Sequence, residues 1–309
     1  MNQKQAKIFT FIFMMICSLL LSLFIYFCIY QKEHYEWEEW FMYQDVFKKL
    51  AQQNHEVDTI YLGDSRLKTI VKPKTHELNL ALPNASPIES YFILKRYLKN
   101  QSKVKQIVLS FAPYHLIQTR AFFNRSIIYN FLSKKELDLV FQKSLELKDP
   151  HFDKYRYYKT KYLPNSYFTK VKTLIFSPKS KQTAAFKTLL YKNKGQTYFG
   201  KQKGSSELCD ETTIKNMPHS PTIKYFLKLI IQLCKDNNIK VVYYTAPLNQ
   251  TSCRALGSQF FKNHSDYLSK LPLNLLESSY CWPDKYFGDS SHLYIGADLA
   301  QQELRKQIQ

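Results

Sequence analysis

Residues 57–66, Val57-Asp58-Thr59-Ile60-Tyr61-Leu62-Gly63-Asp64-Ser65-Arg66, constrain the fold more than any other stretch of the chain. Val57 to Leu62 is a short β-branched and aromatic run that stops at a glycine, the pattern of a buried strand ending in a tight turn. Ser65 then stands just past the strand. In a parallel sheet the carboxyl edge is where ligands bind, and N–H groups opening the next helix can face an oxyanion. A serine placed there works as a nucleophile only with a base that is itself held by an acid. Near the other end, Phe287-Gly288-Asp289-Ser290-Ser291-His292-Leu293 offers an Asp and a His three residues apart, before a helix-like run from Gly296 to Ile308. The two ends of the chain would supply the two halves of one site.

The intervening pattern is that of an α/β protein. Strands are expected at Glu77 to Leu82, Val104 to Phe111, Ile239 to Thr245 and Leu273 to Tyr280, and helices at Ile88 to Leu98, Lys134 to Leu147 and Thr222 to Lys235. Strand, turn, helix, strand in the first half resumes only after about a hundred residues, and no internal repeat is present. The reading is one α/β domain in two halves, 56–115 and 219–309, split by an insertion, 116–218. Apolar content of 45% in 309 residues is enough for one sizeable core.

Location follows from residues 8–30, which are 23 consecutive uncharged residues and would span about 34 Å as a helix, enough to cross a bilayer. A cleaved signal peptide would have a shorter apolar region and a small-residue cleavage site, whereas here Phe27-Cys28-Ile29-Tyr30-Gln31-Lys32 follows. A short tail, 1–7, carries Lys4 and Lys7, while Glu33, Glu36, Glu38 and Glu39 crowd the exit. The positive-inside rule therefore puts the amino terminus in the cytoplasm and the rest outside it, in the periplasm or extracellular space. The juxtamembrane segment, 31–55, mixes Trp37, Trp40, Phe41, Tyr43 and Phe47 with acids. It suits either a helix at the membrane interface or one packed on the domain.

With 44 Lys+Arg against 25 Asp+Glu, the chain favours anionic partners. The expected topology excludes nucleic acid and leaves the bilayer surface, anionic lipid or an anionic envelope polymer. Within the insertion, residues 151–200 hold eleven Lys/Arg, one acid (Asp153) and twelve aromatics. This segment is either a cap that meets such a partner or a packed element with solvated lysines. Outside the cytoplasm Cys209, Cys234, Cys253 and Cys281 can form disulfides, with three possible pairings, although Cys234 falls on the apolar face of a helix as a buried thiol would. No Cys/His spacing suggests a metal and no glycine-rich loop a nucleotide, so no cofactor is expected.

Gly63-Asp64-Ser65 after the first strand and Asp289-Ser290-Ser291-His292 before the last helix resemble the first and last sequence blocks of the SGNH (GDSL-type) hydrolases and acyltransferases. The resemblance covers roughly residues 56–115 and 219–309 and implies a three-layer, flavodoxin-like parallel sheet. It also implies roles: Ser65 as nucleophile, His292 as base, Asp289 as the acid orienting it. Leu78 to Ser86 is similar to the second block, whose glycine donates an oxyanion-hole N–H, and the matching position is Asn84. The third block, Gly-x-Asn-Asp, is missing, and Ser110-Phe111-Ala112-Pro113-Tyr114-His115 stands in its place. Tyr114 and His115, just beyond a strand's carboxyl end, are candidate substrate contacts, with a packed histidine as the alternative. Asp64 is expected to bond backbone amides in its turn.

In overall plan the chain resembles the membrane-anchored members that assist acylation of cell-envelope polymers, such as the teichoic-acid D-alanylation and alginate-acetylation proteins. That resemblance implies acyl transfer, or ester hydrolysis, on an envelope glycan or polymer, with a membrane O-acyltransferase as partner. A non-catalytic scaffold or binding subunit with the same fold is the alternative.

Overall fold

The uncharged run folds as one helix, α1 (Gln3–Tyr30), in the computed structural model, which describes residues 3–30, 37–52, 56–99, 103–119, 125–126, 129, 131–154, 157–158, 181–201 and 203–308. Its apolar side chains from Ile8 to Phe24 are exposed, and it is long and apolar enough to cross a membrane. Helix α2 (Trp37–Ala51) follows. Its Tyr43 and Val46 are wholly buried, with the Tyr43 ring 4.7 Å from that of Tyr129 and 5.5 Å from that of Phe131. Of the two arrangements open for the juxtamembrane aromatics, the structure shows packing on the domain.

The domain runs β1 (Thr59–Gly63), α3 (Ser65–Ile70), β2 (Glu77–Asn79), α4 (Pro87–Leu98), β3 (Gln106–Ser110), α5 (Pro113–Ile117), α6 (Lys134–Glu146), α7 (Lys181–Lys192), α8 (Glu211–Ile214), α9 (Pro221–Asp236) and β4 (Lys240–Tyr243). It closes with β5 (Leu248–Asn249), α10 (Gln250–Leu256), α11 (Ser258–Ser269), β6 (Asn274–Leu275), β7 (Cys281–Trp282) and α12 (Ala297–Ile308). Five strands form one parallel sheet in the order β2-β1-β3-β4-β6, and β5 pairs with β7 in a separate small ladder. The order reverses direction between β1 and β3, so the crevice at their carboxyl ends is the ligand edge of such a sheet.

Side chains alternate across the sheet. Ile60, Leu62, Ile107 and Leu109 face Phe92 of α4 and Phe226 and Ile230 of α9, whereas Tyr61, Val108 and Val242 face Leu67 of α3 and Ala300 and Leu304 of α12. Each large apolar side chain so buried contributes about 1.5–3 kcal/mol. Helix α9 shows why the sequence folds this way: Ile223, Phe226, Leu227, Ile230 and Cys234 recur at helical spacing and are buried, Ser220 caps the first turn, and Pro221 occupies a position where no N–H is needed.

The expected fifth strand contracts to Asn274–Leu275, because the chain then leaves the sheet to pair Cys281 and Trp282 with β5. That crossing brings Cys281 to Cys253 on α10, and these two form the disulfide. Cys209 and Cys234 are buried free thiols. About half of the basic, aromatic part of the insertion, residues 155–156 and 159–180, lies outside the described residues.

Candidate active site

Gly63 closes β1 where the sheet leaves no room for a side chain: a Cβ there would sit 1.9 Å from the Ser110 carbonyl oxygen of β3. Asp64 comes next and caps α3, its carboxylate accepting from the Arg66 N–H at 2.9 Å and from the Ala112 N–H beyond β3. Such a cap is worth about 1 kcal/mol. It also ties the turn after β1 to the turn after β3, so the acid of the Gly-Asp-Ser run is structural.

Ser65 thereby opens α3 at the carboxyl edge of the sheet. The loop before α12 brings the other side chains to it. His292 Nε2 lies 2.7 Å from Ser65 Oγ, and His292 Nδ1 lies 2.9 and 2.8 Å from the two Asp289 carboxylate oxygens. With Nδ1–H donating to Asp289, the lone pair on Nε2 is left to accept the Ser65 hydroxyl proton. Asp289 is fixed in turn, accepting from the Ser291 and His292 N–H groups at 2.9 and 2.8 Å. Its burial opposes ionisation, but the hydrogen bond and charge of His292 and those two amides outweigh it and hold the carboxyl below its ordinary value. Ser65 is 9% exposed, so the hydroxyl is sheltered without being sealed. The arrangement can move a proton from a serine hydroxyl to an oriented imidazole.

The turn after β2 lies at the same edge, since the Leu82 N–H donates to the Gly63 carbonyl at 3.0 Å. Asn84 in that turn has φ of 55°, the left-handed region where glycine is freest and asparagine is among the better tolerated residues. Helix α2 grips the turn from outside: Tyr43 donates to the Pro83 carbonyl at 3.2 Å, and the Asn84 amide donates to Glu39 at 3.2 Å. Among the described residues, the N–H groups of Ser65 and Asn84 have no acceptor within the protein. Asn84→Gly should therefore keep the fold to within about 1 kcal/mol, while Asn84→Val should cost about 1–3 kcal/mol by forcing a β-branched residue into this conformation. Urea unfolding of the solubilised variants measures both, and equal stability of the two would contradict the conformational role.

The two remaining sequence candidates sit differently. His115 is 6% exposed, with Nε2 3.7 Å from the Asp64 carboxylate, so its ring packs beside the capping acid. Burial, aided by the Arg66 charge, pushes its pKa down. Tyr114 stacks edge-on to His115 at 5.3 Å and packs against the cluster that contains Ile117 and Phe260.

Several residues escaped the sequence reading. Arg66, next to the serine, is buried and pairs with buried Glu211 of α8 at 2.6 Å, 145 residues away. Desolvation disfavours both charges, but each holds the other ionised, raising the Arg66 pKa and lowering that of Glu211. Lys68, one helical turn past Ser65, is fully buried and donates to the Ala81 carbonyl at 3.0 Å. Burial, with help from Lys49, brings it down to about 7. Phe199 lies over the His292 ring at 4.4 Å, held there as the Lys201 N–H donates to the Gly288 carbonyl at 2.7 Å. Gln196, Thr197, Cys209, Glu211 and Ile214, assigned by sequence to the insertion, are likewise buried, and Gln196 donates to the Thr69 carbonyl of α3 at 2.8 Å. The one available signal was the aromatic pair Tyr198-Phe199 closing a basic stretch.

Among the described residues no group of three or more His, Cys, Asp or Glu is placed to hold a metal ion. No protein-family model matches the chain, and no curated protein matches it.

Proposed function

We propose that this chain is a membrane-anchored, SGNH-type serine acyltransferase, or acyl esterase, of the cell envelope. The observation that carries the reading is the continuous chain of hydrogen bonds from Ser65 through His292 to Asp289. In the proposed reaction Ser65 Oγ attacks an acyl carbonyl while His292 Nε2 takes the hydroxyl proton, and Asp289 holds the imidazolium. The N–H groups of Ser65 and Asn84 are the proposed oxyanion donors. His292 returns the proton to the departing group, leaving an ester on Ser65. An acceptor hydroxyl, from a glycan, a polymer or water, then gives its proton to His292 and attacks that ester, and as the acyl–Oγ bond breaks His292 returns the proton to Ser65.

The five-stranded parallel sheet with helices on both faces and the N-terminal apolar helix support the SGNH-like, anchored plan. The basic surface suits an anionic envelope polymer or lipid, and a membrane O-acyltransferase is the natural acyl source. One observation favours a second reading, a non-catalytic binding or scaffolding subunit: after β3 the chain has Ala112-Pro113, with no asparagine to share the oxyanion, and the Ala112 N–H is already committed to Asp64. Comparing the acyl content of the envelope in cells carrying wild type or Ser65→Ala separates the two, since only the enzyme requires the hydroxyl.

The same reading requires the domain to lie outside the cytoplasm, as the charge asymmetry around residues 8–30 implies. A carboxyl-terminal alkaline phosphatase fusion should be active. An inactive phosphatase together with a fluorescent cytoplasmic reporter would reverse the topology.

A further inference from the structure

A cavity of about 620 Å³ that Ser65 does not line opens between the end of α8, the start of α9 and helix α11. Its size lies within the ~300–1,000 Å³ of small-molecule sites. His264 of α11 lines it, is 2% exposed, and has no partner for either ring nitrogen. The Tyr267 hydroxyl and His219 Nε2 are also buried there without a partner, and the two rings stack at 3.8 Å, which fixes both polar atoms in place. Unpaired buried donors and acceptors of this kind cost about 1–3 kcal/mol each, so three such residues along one cavity favour a guest, water or ligand, that hydrogen-bonds to them.

The chemistry around them narrows the ligand. Lys215, Lys224 and Lys270 line the same cavity, against one acid, Asp266, whose carboxylate is bonded to Lys262 at 2.8 Å. The wall is therefore cationic and suits a phosphate. The two imidazoles are neutral near pH 7, since burial brings His219 to about 4 and His264 to about 3. A neutral imidazole offers one N–H and one lone pair, and the lone pair needs a donor such as a hydroxyl, which the phosphate group of a diester does not itself supply. We propose that this cavity binds a phosphorylated polyol or sugar, its phosphate against the lysines and its hydroxyls on His219, His264 and Tyr267. Ser65 does not line the cavity, and the existence of this site does not depend on the acyl-transfer reading.

The test is isothermal titration of the full-length protein in detergent with sn-glycerol 3-phosphate, with glycerophosphoglycerol, and with glycerol or inorganic phosphate alone. At least one of the two esters should bind at one site, and glycerol alone should not bind. Tyr267→Phe, which keeps the stacked ring, should weaken ester binding about 3- to 10-fold by removing one hydrogen bond. The double variant Lys224→Gln/Lys270→Gln should weaken it and flatten its dependence on salt. Ser65→Ala should bind as wild type does. A preference for the diester would identify a polymer repeat, and a preference for the monoester a soluble metabolite, and either supports the site. Saturable binding of neither ester, or binding untouched in both the tyrosine and the lysine variants, would overturn the proposal. Inorganic phosphate binding as tightly as the esters would overturn the polyol half of it.

Discussion

Ser65→Ala and His292→Ala should each lower ester hydrolysis or acyl transfer by about 10⁴-fold or more, and the double variant should be little worse than either. The reason is geometric: Ser65 Oγ and His292 Nε2 are 2.7 Å apart, so removing either group abolishes the same proton transfer. Asp289→Asn should be about 10-fold to 100-fold milder than these, because the serine and imidazole remain but the tautomer is no longer fixed. Ser290→Ala is the control, since it breaks the second Gly-Asp-Ser run and leaves the Ser65 chain of hydrogen bonds whole. Thermal melting of each variant verifies that the fold survives. Additive losses in the double variant would mean that Ser65 and His292 act in separate steps.

The largest expected effect on stability comes from the neighbouring pair. Glu211→Ala should destabilise the protein by about 3–5 kcal/mol, because it leaves the Arg66 guanidinium buried beside Ser65 with its charge unmatched. Replacing both partners, as Arg66→Met with Glu211→Leu, should recover most of that loss, since an apolar pair of similar volume removes the desolvation cost as well as the attraction. Urea unfolding of wild type, Arg66→Met, Glu211→Leu and the double variant forms a closed cycle. A Glu211→Ala loss below about 1 kcal/mol would mean that Arg66 finds water or another acid, and that the pair does not hold α8 against α3.

The comparison of sequence with structure turns on which interactions are local. β1 and α9 were legible because a β-branched, aromatic run stopped by glycine and a 3.6-residue periodicity are written in neighbouring residues. The Gly-Asp-Ser turn was legible as a turn, but the reason for its glycine was not: the Ser110 carbonyl that excludes a Cβ belongs to another strand. Asn84 read as an imperfect stand-in for glycine, and its φ of 55° shows an asparagine in a glycine-like conformation, gripped from α2 by side chains that no local pattern relates to it. His115 stood between a substrate contact and a packed histidine on position alone, and only the fold shows it buried beside Asp64. The Cys253–Cys281 bond could not be chosen from the sequence because it depends on β7 crossing to β5. Arg66–Glu211 likewise joins residues whose proximity is a product of the whole topology.

The most direct test of the central reading is covalent labelling. The full-length protein in detergent, exposed to a fluorophosphonate probe, should take up one label, which peptide mass analysis should place on Ser65. Ser65→Ala should take up none, and His292→Ala should label far more slowly. A folded wild-type protein that remains unlabelled, or labelling that persists in Ser65→Ala, would contradict the assignment of Ser65 as an activated nucleophile.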